Sequence, residues 1–483
     1  MSEAVNYYAV YDFEILPYAL GDVLTWNIQT AIRCEEAGRK RVEVLILADP
    51  QYPSSIYQRD LVFAENAPLF FNELFGAFGT HPHLGNIHIF SKREDLLEFL
   101  HKAAEGDPVT QDVLDDYRTV LAGREDSDAL NTYFIKYIYS HDRINAFAEE
   151  NGRVPLLTSS AGCEPDIDGV LRHALAGKKV VVIHPRLRQL DAGLKGEHTH
   201  FRDSDFLVWY EFLRGAIAKY SDVQFVVVGR MQEKPIALLR LPNVTNLRAM
   251  GLGLGHEITL MLKSHLFIGT SSGFAAAANF STVPYFVTKM NKASYEAYGI
   301  PEHADRLPFA TQNQILVSSP ESVEMLEGLL EKGLAGVEAA EAVGGSRRSD
   351  LSAKAFIKNQ DEHLGAFAST HRFFVDDLQN DQEIAALVEQ EISDAAHAAA
   401  AGDSEAARRT HARIEKLFPQ LAGRHNQLDG LPDATKSPLR HMQGNIRTRI
   451  RPAANLVSRI RASMRRGTLI DDVSRRLMRV IGS

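Results

Sequence analysis

Five short apolar runs, separated by helix-length segments, constrain this chain more than any other feature of it. Residues 178–183 (KKVVVI) and 223–228 (VQFVVV) are rich in β-branched side chains, and further runs follow at 244–248, 266–269 and 283–287. Runs that do not alternate with polar residues fit strands buried on both faces. Between the first two lies FLVWYEFLRGAIAKY at 206–220, which has the length of a helix and is apolar almost all round, and residues 257–262 form a second helical stretch. Strand and helix in alternation predict an open, mostly parallel, doubly wound α/β sheet.

The preceding block repeats the theme. Residues 8–15 read as a strand, 23–34 as a helix, 42–48 and 87–90 as strands, and 96–150 as mostly helical. The expected architecture is therefore two Rossmann-like doubly wound lobes, residues 1–155 and 156–335. Beyond them a linker and helical hairpin (336–425) lead to a basic amphipathic tail (426–483). The stretch 337–351, with Gly344, Gly345 and Ser346 among charges, reads as linker or loop. AAAGDSEAARRTHARIEKLFP reads as one tetratricopeptide-like hairpin, and a lone repeat must dock on a neighbour to bury its face.

Composition narrows the class. With 45% hydrophobic and 24% charged residues over 483 positions, the chain has ordinary globular proportions and enough length for several cores. Cys34 and Cys163 are far apart, so neither a disulfide framework nor a thiolate metal site is expected, and a cytoplasmic setting fits. The first eleven residues lack the basic start of a signal peptide, and no run reaches the roughly 18 apolar residues of a membrane span. The net charge of −9 is uneven. From Arg440 to Ser483 eleven arginines face two aspartates, giving +9, so the rest carries −18. Arginine alternating with Ile, Val, Leu and Met suits an amphipathic helix on an anionic membrane surface, and the absence of aromatics there argues against nucleic acid.

In a doubly wound sheet ligands bind beyond the carboxyl ends of the strands. The 266–269 run leads into Gly269, Thr270, Ser271, Ser272 and Gly273, followed by Phe274 and four alanines. Small residues let a backbone approach a phosphate and hydroxyls add donors; the same residues also suit a tight strand-to-helix turn. After 178–183 come His184, Arg186 and Arg188, and Arg202 precedes the 206–220 helix; Gly229 ends the 223–228 strand. Arginine's planar fork matches a diphosphate. After the first strand, Gly21 and Asp22 open a helix. Asp22 is there either an N-cap or a general base toward an acceptor hydroxyl. Two D-x-D triplets, Asp166/Asp168 and Asp203/Asp205, and the pair His198/His200 have a superficial metal-ligand look, but their settings are those of turns and helix starts. No cofactor is expected.

The order Leu20-Gly21-Asp22-Val23-Leu24, His184-Pro185-Arg186, Asn243-Val244-Thr245-Asn246-Leu247, Ile268-Gly269-Thr270-Ser271-Ser272-Gly273 and Val283-Pro284 resembles glycosyltransferases of the GT-B fold, most of all the heptosyltransferase family. The His-x-Arg element also resembles fucosyltransferases. The likeness spans about residues 8–317. It implies Asp22 as catalytic base, Ser272 and Gly273 as the donor-phosphate turn, and Arg186 on the donor diphosphate. The family's acidic residues before the Ser-Gly pair and at the preceding helix end are replaced here by Ser271 and by Ser264-His265. The implied function is inverting, metal-independent transfer of a sugar from a nucleotide-sugar donor to a polysaccharide, glycolipid or protein acceptor. A sugar-nucleotide epimerase of similar fold and a non-catalytic scaffold on a degenerate transferase fold are the alternatives.

Overall fold

The computed structural model describes residues 6–134, 137–138, 141–186, 202–230 and 234–343. Arg188, His198, His200, the 382–418 hairpin and the basic tail lie outside the described residues. By contacts the chain divides into a unit of residues 1–234 and 238–367 and another of 235–237 and 368–483; both lobes belong to the first.

The first lobe runs β1 (Asn6–Asp12), α1 (Leu20–Glu36), β2 (Arg41–Leu47), α2 (Ala67–Phe78), β3 (Leu84–Phe90), α3 (Arg93–Ala104), α4 (Pro108–Ala122), α5 (Ser127–Phe134) and α6 (Asp142–Asn151). Its three strands are parallel and ordered β1-β2-β3. Six consecutive residues of β2, Val42 to Leu47, are buried, as only a strand covered on both faces can be. Helix α1 packs against α2 and α6, and α4 against α3 and α5. Tyr11, Phe13, Trp26 and Phe78 meet edge-on in the core, with ring centroids 5.0–6.4 Å apart.

The second lobe contains α7 (Glu164–His173), β4 (Lys179–His184), α8 (Phe206–Lys219), β5 (Val223–Val227), α9 (Ile236–Leu239), β6 (Val244–Thr245), α10 (Leu254–Leu262), β7 (Leu266–Thr270), α11 (Gly273–Asn279), β8 (Tyr285–Thr288), α12 (Lys292–Ala297), β9 (Gln314–Leu316) and α13 (Val323–Val343). All pairings are parallel and the order is β6-β5-β4-β7-β8-β9. Counted within the lobe this is 3-2-1-4-5-6, the doubly wound order whose direction reverses between its first and fourth strands. The reversal lies between β4 and β7, where His184 pairs with Gly269. In the first lobe the strands follow chain order, so the crevice that such a reversal opens belongs to the second lobe alone.

Four glycines bring the lobes together. A Cβ on Gly273 (α11) would lie 2.9 Å from the Gly21 (α1) backbone nitrogen, and one on Gly76 (α2) only 2.6 Å from that of Gly255 (α10). Any larger residue would force the helices apart. The expected linker at 337–351 begins instead as helix, since α13 continues to Val343. Gly333 of α13 lies where a Cβ would stand 2.5 Å from Leu266 Cδ2, so it lets α13 press on the sheet. Among the described residues no helix is long and apolar enough to cross a membrane.

Candidate functional site

A cleft of about 610 Å³ opens at the β4/β7 reversal. The second lobe contributes His184 and Arg186 from the end of β4, Arg202, Gly229 and Arg230 after β5, Arg248, and Ser271, Ser272 and Gly273 after β7. The first lobe contributes residues 18–22, Thr25, Glu73 and Leu74. The strand ends and the Gly21-Asp22 helix start therefore face one space.

His184 and Ser272 form a polar pair in the cleft, with Ser272 Oγ 2.8 Å from His184 Nδ1. Burial, reinforced by Arg186 and Lys234, pushes the His184 imidazole down to about 3, so it is neutral near pH 7. A neutral ring leaves the positive charge of the wall to the arginines and fixes the Ser272 hydroxyl by a hydrogen bond. His81 in the first lobe is likewise pushed to about 3 by burial and the neighbouring His83. Both values lie below the ordinary 6.5, so the stability these rings contribute is complete above pH 6.5 and is lost as pH falls from there toward 3. Each costs up to about 1.4 kcal/mol per pH unit in that window. Urea midpoints are thus expected to fall between pH 7 and 5, and less steeply in His184→Gln; identical slopes for the two proteins would contradict this.

Arg186 is buried, with Nε 3.6 Å from Asp203 Oδ1, and its carbonyl accepts from the Ser204 amide at 2.7 Å. This contact orients the guanidinium from behind. Asp22 is the third residue of α1 and lines the cleft. The N-cap position is Ala19, which supplies no side-chain hydrogen bond, so Asp22 is not the N-cap. Ser271 Oγ lies 3.2 Å from Ser294 Oγ, which ties the turn to α12. Gly269 and Thr270 are buried inside β7 and do not line the cleft. A Cβ on Gly269 would stand 3.0 Å from His184 Cβ, so this glycine allows β7 to lie close to β4.

The D-x-D carboxylates have other partners. Asp166 meets His256 at 3.1 Å, Asp168 meets Lys263 at 2.8 Å, and Asp205 caps α8 by accepting from the Val208 amide at 3.1 Å.

One cluster escaped the sequence reading. Glu257, fully buried in α10, receives Lys234 Nζ at 2.6 Å, holds Arg248 Nε within 3.1 Å, and lies 3.5 Å from the Gly229 amide. Lys234 also donates to Asn246 Oδ1 at 2.9 Å. Arg248 reaches on to Glu73 of α2 at 3.3 Å. The available signal was a lone carboxylate in the apolar helix LGHEITLML, which has to be paired if it is buried.

No protein-family model matches this chain, and no curated protein does. Among solved structures it is similar to the E. coli ADP-heptose lps heptosyltransferase II, at 12% identity and a TM-score of 0.40, over 69% of this chain and 99% of that one. It is also similar to the glycosyl transferase family 9 structure from Veillonella parvula, at 12% identity and TM-score 0.39, over 69% and 98% of the two chains. A putative UDP-N-acetylglucosamine 2-epimerase from Listeria monocytogenes matches at 10% identity and TM-score 0.32, over 69% and 89%.

Proposed function

We propose that the protein is a glycosyltransferase that binds a nucleotide-sugar donor at the β4/β7 reversal and transfers the sugar to a carbohydrate or glycolipid acceptor. The observation that carries this reading is the meeting, in one cleft, of a buried arginine and a histidine-held serine on the second lobe with a carboxylate on the first. In this reading Arg186, Arg202 and Ser272 hold the donor diphosphate. Asp22 accepts the proton of the acceptor hydroxyl while that oxygen attacks the anomeric carbon. The bond from that carbon to the diphosphate oxygen breaks, and its electron pair leaves with the nucleoside diphosphate. Arg186 and Ser272 stabilise that charge where it develops. The transferred sugar is inverted by this single displacement.

The neutrality of His184 supports the assignment, because a neutral imidazole holds the serine without a charge that would follow pH near neutrality. The test is incubation of the full chain with UDP-, GDP-, ADP-, dTDP- and CMP-sugars, with release of nucleotide followed by chromatography. One donor is expected to be turned over, slowly by water and faster with acceptor. Interconversion of the sugar without its release would instead identify an epimerase. No turnover, together with no nucleotide binding, would identify a scaffold.

A further inference from the structure

Arg186 and Arg202 leave a second pair of cleft arginines, Arg230 and Arg248, with no assigned task. Both reach the same helix of the first lobe. The Arg230 guanidinium lies over the Phe70 ring, 5.2 Å from its centroid, and Arg248 meets Glu73, one helical turn further along α2. Arg230 follows Gly229, whose φ of 119° belongs to the region that glycine tolerates, and this turn directs the chain into the cleft.

The contacts of Arg248 are unequal. Glu257 is fully buried and shared with the buried Lys234, so that side of Arg248 is fixed. Glu73 has 43% of its side chain exposed and sits at a longer distance, 3.3 Å. An exposed pair of this kind contributes about 0–1 kcal/mol and is readily exchanged. Arg230 has an aromatic face against it but no carboxylate among the described residues. Lys234 and Arg248 therefore share Glu257, and the more weakly held carboxylate, Glu73, occupies the place an incoming anion would take.

We propose that Arg230 and Arg248 form a second anion subsite of the cleft, which takes a phosphate or carboxylate of a bound substrate and displaces Glu73. The inference rests on the proposed function in giving the diphosphate to Arg186. The anion is carried either by the nucleotide, as a ribose phosphate, or by the acceptor. Two arginine forks can hold such a group bidentately. The Phe70 ring supports the Arg230 guanidinium by a cation–π contact, and Arg230 lines the cleft.

Inorganic phosphate is the probe, titrated into the full chain and followed by thermal shift and phosphorus NMR linewidth. Measurements are made in the wild type and in an Arg186→Ala background that removes the proposed diphosphate contact. Glu73→Gln is expected to tighten phosphate binding several-fold, and Arg230→Ala to weaken the binding left in the Arg186→Ala background about tenfold. Arg248→Ala is expected to do the same; if loss of this largely buried partner unfolds the protein, the Glu73 and Arg230 variants still decide the matter. Phosphate affinity unchanged by both Glu73→Gln and Arg230→Ala overturns the proposal.

The source of the anion follows from comparing a nucleoside 5′-diphosphate with its 3′-phosphorylated form. A penalty from Arg230→Ala confined to the 3′-phosphorylated ligand supports the nucleotide. Equal binding of the two nucleotides, with phosphate still responding to Glu73 and Arg230, supports the acceptor. If no nucleoside diphosphate binds and phosphate still responds to these residues, the glycosyltransferase reading fails and the subsite stands.

Discussion

Glu257→Ala is expected to cost about 3–5 kcal/mol of stability, the largest loss from any single replacement near the cleft. The reason is what remains rather than what is removed. Lys234 has 1% of its side chain exposed and would keep a buried ammonium without its carboxylate, Asn246 Oδ1 remaining 2.9 Å away. Arg248 would at the same time lose its fixed contact and keep the exposed one with Glu73. Removing both buried partners, as Lys234→Met with Glu257→Leu, should recover most of the loss, because a well-packed apolar pair often matches a buried ion pair. Chemical denaturation of the single and double variants measures both numbers. A single-variant cost below about 1 kcal/mol would mean that the cluster is solvated and does not hold the arginine.

Asp22→Asn is expected to lower turnover by about 10²–10⁴-fold while nucleotide affinity stays near the wild-type value. The amide is the same size and sits at the third position of α1, so the structural price is limited to a carboxylate in the first turn of a helix, about 0.3–1 kcal/mol. A loss of turnover that far exceeds the loss of stability separates proton abstraction from helix support. The separation is possible because Ala19, not Asp22, occupies the N-cap. Steady-state rates with the donor identified from the nucleotide-sugar panel, paired with calorimetric affinities, measure it. Equal turnover in the two proteins would remove Asp22 from the chemistry.

The parts of this molecule legible in the sequence are those fixed by local patterning. The runs at 178–183 and 223–228 became β4 and β5, and 206–220 became α8, each within about a residue, because a buried parallel strand and its crossover helix carry their own signature. The order of motifs also placed His184, Arg186, Ser272 and Gly273 on one wall, since any reversal of strand order puts those strand ends together. Gly269 and Thr270 were grouped with the phosphate turn because they adjoin it. The structure ends β7 at Thr270, which leaves both inside the sheet.

What the sequence withheld depends on contacts between distant segments. Gly76 and Gly255 are ordinary helix residues until their helices cross, and Glu73 acquires meaning only when Arg248 arrives 175 positions later. The linker expected from residue 337 is helix as far as Val343, and Gly333 within that helix serves packing. Asp22 was ambiguous for a related reason. The start of its helix is set by Ala19 and the turn before it, and one residue of uncertainty there exchanges a cap for a cleft-facing carboxylate.

Binding of a nucleoside diphosphate at the β4/β7 reversal through Arg186 and Ser272 is measured by calorimetric titration of the full chain with ADP, GDP, UDP, dTDP and CMP, repeated on Arg186→Lys and Ser272→Ala. Lysine keeps a charge beside Asp203 and removes the planar fork, so the fold should survive while the contact weakens. A nucleoside diphosphate is expected to bind the wild type and to bind Arg186→Lys about tenfold or more weakly, with a smaller loss in Ser272→Ala. Binding of none of these nucleotides, or binding of one with the same affinity in all three proteins, would contradict it.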